Sequence, residues 1–281
     1  MIDPRLARRH LRADVRRFVW LGLVVLLTGC ITPVGNPYGT PIALAPVNPP
    51  ALPRVGDRFV YLVRNGYNGE PVGQLEYRVD SAERDHYVLT ANPSAVNPGQ
   101  PRTELYLFDG NWVHHPFTNH NLLIDYEFNP PYPAYVFPLE ARRTWSQRVN
   151  ARNQATGRVA SVRIDAEVLG GERIVTAAGE FDTVRIYRRI YAGDWDGFLT
   201  ETTITEVEWY SPEIGRAVRL DRNSEWYDSS RSPGGHTAWF NRGLLLRGDW
   251  HVFELTGWPA MAKRPVPAQV KPPPPAPPPP K

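Results

Sequence analysis

The sequence predicts an all-β protein in which an antiparallel sheet forms a half-open barrel or a sandwich, flanked by extended N-terminal and C-terminal segments. Three observations lead to this prediction. Apolar and charged residues alternate with a period of two over 75–80 and 162–168, as in strands with one buried face. Turn signals such as Asp109-Gly110 separate these runs. After residue 29, no stretch shows a convincing helical period.

The first 29 residues have the pattern of a secretory signal. Six arginines precede an apolar run from Phe18 to Leu27. A basic start, a short apolar segment and small residues at the exit are typical of such signals. The run is too short to span a bilayer, which needs about 20 apolar residues. Residues 1–29 are therefore predicted to be removed from the mature chain.

The next feature is Leu27-Thr28-Gly29-Cys30, which contains the only cysteine of the chain. These four residues resemble a bacterial lipobox, in which small residues precede an obligatory cysteine. The resemblance implies cleavage before Cys30 and its modification with acyl chains such as palmitate. It also implies the outer membrane, because Ile31 replaces the aspartate that often retains such proteins in the inner membrane. We expect a lipid anchor on the periplasmic face; the alternative is a plain signal peptide with an incidental cysteine.

The remainder of the chain divides into three parts by composition. Residues 30–53 are predicted to be a tether, since 31–53 hold seven prolines and no charged side chain. Residues 54–262 are predicted to form one antiparallel β domain. Residues 263–281 form a Pro-rich tail that cannot build a core. The tail is either a solvated spacer or a contact for an envelope protein or peptidoglycan.

Strands are expected in chain order wherever the alternation continues between turn signals. The predicted segments are 57–64, 75–80, 85–91, 103–108, 111–115, 121–127, 143–150, 162–168, 172–177, 184–187, 200–210, 216–222, 224–228 and 248–255. Gly170-Gly171 is predicted to be a turn between two strands. Residues 129–133 are predicted to be a crossing loop rather than a strand, because their three prolines cannot donate to a ladder.

Two similar segments suggest an internal repeat. Residues 55–59 precede Gly73 and a charged alternating strand, and residues 141–145 precede Gly157 and another such strand. The offset is 86 residues between the segments and 84 residues between the glycines. Duplication of half a sheet and convergence of hairpin patterns both explain this similarity.

The later half contains a second resemblance. Residues 171–182 (GERIVTAAGEFD) and 209–215 (WYSPEIG) are similar to a pattern found in β-rich bacterial envelope proteins of unknown function. There a strand, an Ala-Gly-x-Phe turn and a second strand form a hairpin. The resemblance covers roughly 135–222 and implies a curved antiparallel sheet. It implies no catalytic residues.

The charge balance argues against nucleic acid as a partner. The whole chain has 32 basic and 29 acidic residues, but removal of 1–29 leaves 26 basic and 27 acidic residues. A nucleic-acid-binding domain is expected to be basic. With Cys30 acylated, no cysteine remains for a disulfide or a thiolate ligand. The membrane, reached through the lipid anchor, is the first predicted partner.

Tryptophans are the candidate ligand-binding residues. Four of them lie in or near predicted strands and would line a concave face for a lipid or a glycan: Trp145, Trp209, Trp226 and Trp250. Core packing is the alternative, because aromatic side chains bury large areas. No cofactor or metal is predicted, since His114 and His115 point to opposite faces of a strand and leave too few convergent ligands. No catalytic motif is present, so no enzymatic activity is expected.

The sequence thus predicts a membrane-anchored, periplasm-facing lipoprotein with a non-catalytic binding or scaffolding role in the cell envelope. Two alternatives stay open. One is a carrier of a lipid or another apolar ligand in the concave face of the sheet. The other is an enzyme with no recognisable motif. A carrier requires a cavity inside the sheet, a scaffold a filled core, and an enzyme a pocket with convergent acids and bases.

Overall fold

The computed structural model describes residues 38–93, 100–193, 199–231 and 243–259, and Gly39 begins a compact unit. Cys30 and the tail 263–281 lie outside the described residues. The described part contains thirteen strands: β1 (Thr40–Ile42), β2 (Arg58–Asn65), β3 (Pro71–Ala82), β4 (His86–Pro93), β5 (Arg102–Leu107), β6 (Trp112–Asn119), β7 (Leu122–Tyr132), β8 (Thr144–Asn153), β9 (Val159–Thr176), β10 (Gly179–Ala192), β11 (Thr202–Ser211), β12 (Arg216–Asp228) and β13 (Leu244–Gly257). One 3-10 turn spans Ser229–Arg231. None of the described segments is a helix long and apolar enough to cross a membrane.

Strands β2 to β13 form a closed barrel of twelve antiparallel strands. Each strand pairs with the next along the chain, and β13 pairs with β2 through contacts such as Phe253 with Val63. The prediction of an all-β antiparallel sheet is confirmed, and the barrel, which was expected to be half open, is closed by pairing that is continuous around the ring. Closure satisfies the backbone donors and acceptors that an open sheet would leave at its edges.

The N-terminal segment corrects the predicted boundary at Arg54. Strand β1 pairs with the far end of β9, from Thr40 opposite Arg173 to Ile42 opposite Gly171. Val47 forms a backbone bridge with Leu139. Residues 40–53 therefore belong to the folded domain rather than to a tether. The many prolines of this segment suggested a tether. A short edge strand nevertheless tolerates proline at a position where no backbone donor is needed for strand pairing.

Strand β9 corrects the turn predicted at Gly170-Gly171. The strand continues through both glycines, and its first part pairs with β8 while its last part pairs with β1. A Cβ at Gly171 would lie 2.9 Å from the carbonyl oxygen of Ile42. The glycine is thus needed for the close approach of β1, not for a chain reversal. In a similar way, the predicted strands 216–222 and 224–228 are one strand, β12, with a register shift near Asn223.

The prolines predicted to form a crossing loop lie at the end of β7. Asn129 pairs with Asn150 of β8, and Tyr132 pairs with Trp112 of β6. Pro130 and the residue after it fall between these pairs, where the β6–β7 register shifts. A ladder interrupted by a bulge needs no donor there, so the strand accommodates both prolines.

The two halves of the barrel begin with the same local structure. The amide of Gly69 donates to the carbonyl of Asn65, and the amide of Gly157 donates to the carbonyl of Asn153, both at 2.8 Å. Both glycines have left-handed backbones, with φ values of 75° and 69°. Strands β2 and β3, and strands β8 and β9, are thus joined by turns of the same geometry, which duplication and convergence both explain. The turn glycine that matches Gly157 is Gly69 rather than Gly73.

Candidate functional site

A cavity of about 510 Å³ lies inside the barrel. Gly110 and Gly215 border it in turns at one end of the barrel, and Asn121 and Asp249 border it at the opposite end. The cavity therefore runs along the barrel axis. Its wall comes mainly from β2, β3, β6, β12 and β13, and the interior beside β8–β11 is filled by residues such as Ile164. A cavity of this size is typical of small-molecule sites.

Aromatic rings form much of the cavity wall. Tyr87 and Tyr106 are stacked with ring centroids 5.2 Å apart, and Trp112 stacks on Tyr132 at 4.2 Å. These rings face inward because they occupy alternate positions along their strands, in phase with buried neighbours. Burial raises the pKa of the Tyr106 hydroxyl well above its usual value and that of Tyr87 to about 12. The wall is consequently uncharged along these rings at neutral pH.

Arg216, the first residue of β12, places a guanidinium group among the aromatic rings of the cavity. Its Cζ lies 4.6 Å from the Tyr77 ring centroid and 4.9 Å from that of Phe59. Both distances fit cation–π contacts. The Nη1 atom of Arg216 is buried and has no hydrogen-bond acceptor among the described residues. Within the same part of the chain, no carboxylate forms an ion pair with it.

Glu104, His115 and Tyr106 form a buried polar cluster beside the cavity. The Tyr106 hydroxyl donates to Glu104 Oε2 at 2.5 Å, and His115 Nδ1 lies 2.9 Å from the same oxygen. Burial raises the pKa of the Glu104 carboxyl, but His115 and Tyr106 more than offset this, so the pKa lies below its usual value. Glu104 is therefore a carboxylate at neutral pH. Its other oxygen, Oε1, has no donor among the described residues.

A second buried network closes one end of the barrel. Arg188 donates from Nε and Nη2 to the carbonyl oxygen of Ala134, at 3.1 and 2.8 Å. Its Nη1 pairs with Glu208, whose other oxygen accepts from the Tyr135 hydroxyl at 2.6 Å. Arg222 pairs with the neighbouring Glu206. These bonds fix the β7–β8 loop inside the barrel end and hold Tyr135 and Glu208 at the cavity wall.

The turn between β6 and β7 reaches across the opposite end. His120 donates from its amide to Thr202 Oγ1 at 2.9 Å, and its Nε2 contacts the carbonyl of Thr200 at 2.6 Å. Asn121 accepts from the amide of Asp249 at 3.1 Å. Thr202 and Asp249 belong to β11 and β13, which are not neighbours of β6 or β7 in the ring. This turn thus narrows the end of the barrel where Asn121 lines the cavity.

None of the four tryptophans predicted to bind a ligand is among the residues that line this cavity. Their indoles contact other parts of the protein: Trp145 donates to Pro133 O, Trp209 lies under Arg219, Trp226 packs on His120, and Trp250 donates to Asp221. The four tryptophans thus pack in the core or at the surface and do not line this cavity, and their role in ligand binding stays a prediction. Trp112, which was not singled out, is the tryptophan in the wall.

The sequence contains a signal for the charged residues of the interior. Arg188 is in phase with Ile186 and Ile190, which are fully buried. Glu206 is in phase with buried Ile204 in the same way. A charged side chain in phase with buried apolar residues points into the barrel. Strict alternation of apolar and charged residues predicts charges on the outer face alone, so it did not identify these two residues.

No protein-family model matches the chain, and no curated protein matches it. A solved structure from Bacteroides fragilis, described as a "putative exported protein with YmcC-like fold", is 15% identical with a TM-score of 0.43 and covers 76% of this chain and 99% of its own. A "putative lipoprotein" from Parabacteroides distasonis is 14% identical with a TM-score of 0.43, over 77% of this chain and 100% of its own.

Proposed function

We propose that this protein is an envelope lipoprotein whose barrel binds a small amphipathic molecule in its interior cavity, without catalysing a reaction. The observation that supports this proposal is the cavity of about 510 Å³, which runs along the barrel axis and is walled by aromatic rings. Aromatic and apolar walls with a few fixed polar groups are typical of ligand sites. This proposal develops the carrier alternative. The ligand would lie inside a closed barrel rather than on an open concave face.

The proposed location rests on the resemblance of residues 27–30 to a lipobox. We propose that Cys30 anchors the mature chain in the outer membrane and that the barrel faces the periplasm. The two similar solved structures are described as an exported protein and a lipoprotein. We propose an envelope location for this chain as well. The tail 263–281 is proposed to act as a spacer or as a contact for another envelope component.

The cavity favours binding over pure scaffolding. Protein interiors are normally packed to the density of organic crystals, and empty space inside them costs stability. Here β8–β11 pack a filled core, while β2, β3, β6, β12 and β13 leave space along the axis. A scaffold gains nothing from that space, whereas a binding protein requires it.

The test is to ask whether the full chain, extracted from membranes in a mild detergent, retains a small molecule. Native mass spectrometry should detect an adduct in the wild-type protein. Val63→Trp places a large ring in the cavity wall and should abolish the adduct. Leu62→Trp, on the adjacent position of β2 and absent from the cavity wall, is the matched control and should retain it.

Circular dichroism must show the same β-sheet signal in all three proteins. Absence of any adduct from the wild type, together with no binding of added amphipathic probes, would overturn the proposed function. An adduct that persists in folded Val63→Trp would place the ligand outside the cavity.

A further inference from the structure

Building on the proposed function, we infer that the ligand carries an anionic head group, a carboxylate or a phosphate, and that Arg216 binds this group. The apolar part of the ligand then lies along Tyr77, Tyr106 and Trp112 in the cavity wall.

The first argument is the state of Arg216. Its Nη1 is buried without an acceptor, and no carboxylate of the described residues forms an ion pair with it. The guanidinium lies against the rings of Tyr77, Phe59 and Tyr106. It also interacts with the Tyr61 hydroxyl and, through charge, with Glu104. Removing a guanidinium from water without a directly paired carboxylate is unfavourable, and aromatic faces compensate only in part. An anion in the cavity would supply the missing acceptor and charge.

Two other arginines that point into the barrel show the contrast. Arg188 has Glu206 and Glu208 as partners, and Arg222 has Glu206. Each of these guanidinium groups is compensated inside the protein, as buried charges usually are. Arg216 borders the cavity and has no carboxylate paired with it among the described residues. Its position therefore suits an arginine that binds a ligand rather than one that forms a structural ion pair.

The charge of the whole wall agrees with an anion. Five lining side chains are basic by type, and two are acidic: Arg102, His115, Arg216, Arg222 and His251 against Glu208 and Asp249. Glu208 is already paired with Arg188, Arg222 with Glu206 and His115 with Glu104, so Arg102 and Arg216 are the lining arginines without an ion pair among the described residues. A second lining arginine, Arg102, also has a buried Nε without an acceptor among the described residues. The field inside the cavity therefore favours negative ligands.

Glu104 is a buried carboxylate beside the cavity, and Arg216 is one of the charges that lower its pKa. Its Oε1 lacks a donor, but its Oε2 is held by Tyr106 and His115. If Glu104 were the counter-charge of Arg216, the cavity would show no preference for anions over neutral molecules. A measured preference for anionic over neutral head groups therefore distinguishes an Arg216 that binds the ligand from an Arg216 that is paired with Glu104.

The experiment compares three probes with the same ten-carbon chain: decanoate, decyl phosphate and 1-decanol. Each is added to the full chain in detergent, and bound probe is counted by native mass spectrometry. The wild type should bind at least one of the anions about tenfold more tightly than decanol, as a charge-assisted contact implies. Comparison of the two anions identifies the head group.

Three variants make the assignment specific. Arg216→Gln should lose the preference for the anion while still binding decanol, and Arg216→Lys should keep part of it. Arg219→Gln is the control, because Arg219 lies on the same strand but pairs with Glu254 and does not line the cavity. It should behave like the wild type.

The inference is overturned if the wild type binds decanol as tightly as both anions, or if folded Arg216→Gln keeps the preference. Neither result affects the proposed function, because the cavity still binds amphipathic molecules. If the wild type binds none of the three probes and carries no adduct, the proposed function itself fails. The two failures are therefore distinguishable.

Discussion

Arg188 Nη1 lies 2.5 Å from Glu208 Oε2 inside the barrel, and both side chains are almost inaccessible to solvent. The two residues lie on the adjacent strands β10 and β11. The same arginine binds the carbonyl oxygen of Ala134 in the β7–β8 loop. The pair thus joins the barrel wall to the loop that closes one end, and its loss should affect the whole fold.

We predict that Arg188→Met lowers the free energy of unfolding by about 3–5 kcal/mol, because it leaves Glu206 and Glu208 buried without their shared partner. Urea unfolding followed by circular dichroism measures the change. Asp182→Asn, which breaks the exposed pair with Arg173, is the control and should leave the midpoint within error. An equally small effect of both substitutions would contradict the structural role of Arg188.

Stability should fall in acid. The pKa values of Glu104 and Glu206 lie below the usual 4.5: burial raises both, but His115 acts on the first, and Arg222 and Arg188 on the second, more strongly. A carboxyl with a lowered folded pKa contributes stability that is complete above the unfolded pKa and disappears as pH falls through the folded pKa. We therefore expect the urea midpoint to decrease below about pH 4.5.

The matched variant for this acid sensitivity is Glu104→Gln. It should be less stable than the wild type at pH 7, because a neutral amide forms weaker bonds with His115 and Tyr106. Its midpoint should also change less between pH 6 and pH 3, since one of the titrating carboxyls is gone. A pH dependence identical to that of the wild type would mean that Glu104 makes no contribution.

The two hairpin glycines should respond alike to substitution. Gly69→Ala and Gly157→Ala each place a Cβ on a left-handed backbone in open space, so only backbone strain changes. Each should cost about 1 kcal/mol, and the double variant should show the sum, because the sites are independent. Asparagine at either position should be tolerated better. Clearly unequal costs would argue against equivalent turns in the two halves.

Processing at Cys30 gives a prediction outside the described residues. Cys30→Ser should leave an uncut precursor that no longer incorporates labelled palmitate, because the thiol is the acyl acceptor in a lipobox. Metabolic labelling and gel mobility report both effects. Normal cleavage and membrane retention of this variant would refute the lipobox interpretation.

Deletion of residues 265–281 should leave the melting temperature unchanged within error. A segment with ten prolines in 17 residues buries little apolar surface and contributes little to a core. Differential scanning calorimetry of the shortened and complete chains compares them directly. A decrease of several degrees would show instead that the tail packs on the domain.

Local patterns determined which segments form strands. The alternation of Val162, Ile164 and Val168 with charged residues identified part of β9, and Asp109-Gly110 identified the β5–β6 turn. These predictions succeeded because the side-chain period of a strand and the backbone of a tight turn depend on neighbouring residues. Closure of the ring did not follow from them, since β13 and β2 pair across most of the chain.

The residues of the candidate site were harder to predict from the sequence than the strands were, because they come together only in the tertiary structure. The tryptophans were predicted to bind a ligand because their side chains are large. In the structure, the indoles of Trp145 and Trp250 donate hydrogen bonds to Pro133 and Asp221 and do not line the cavity. The relation of Arg216 to Phe59 and Tyr77 joins strands more than 130 residues apart in sequence, and no local pattern encodes it.

By itself, the sequence determined the all-β class and the strand segments, because these follow from periodicity and turn chemistry; the lipobox at Cys30 is a resemblance that awaits its test. Only the tertiary structure decided which of the charged side chains of β5, β10, β11 and β12 are paired. The physical reason is that closing twelve strands into a barrel creates an interior where charges must find partners. Arg188 finds Glu208 there, while Arg216 faces the cavity.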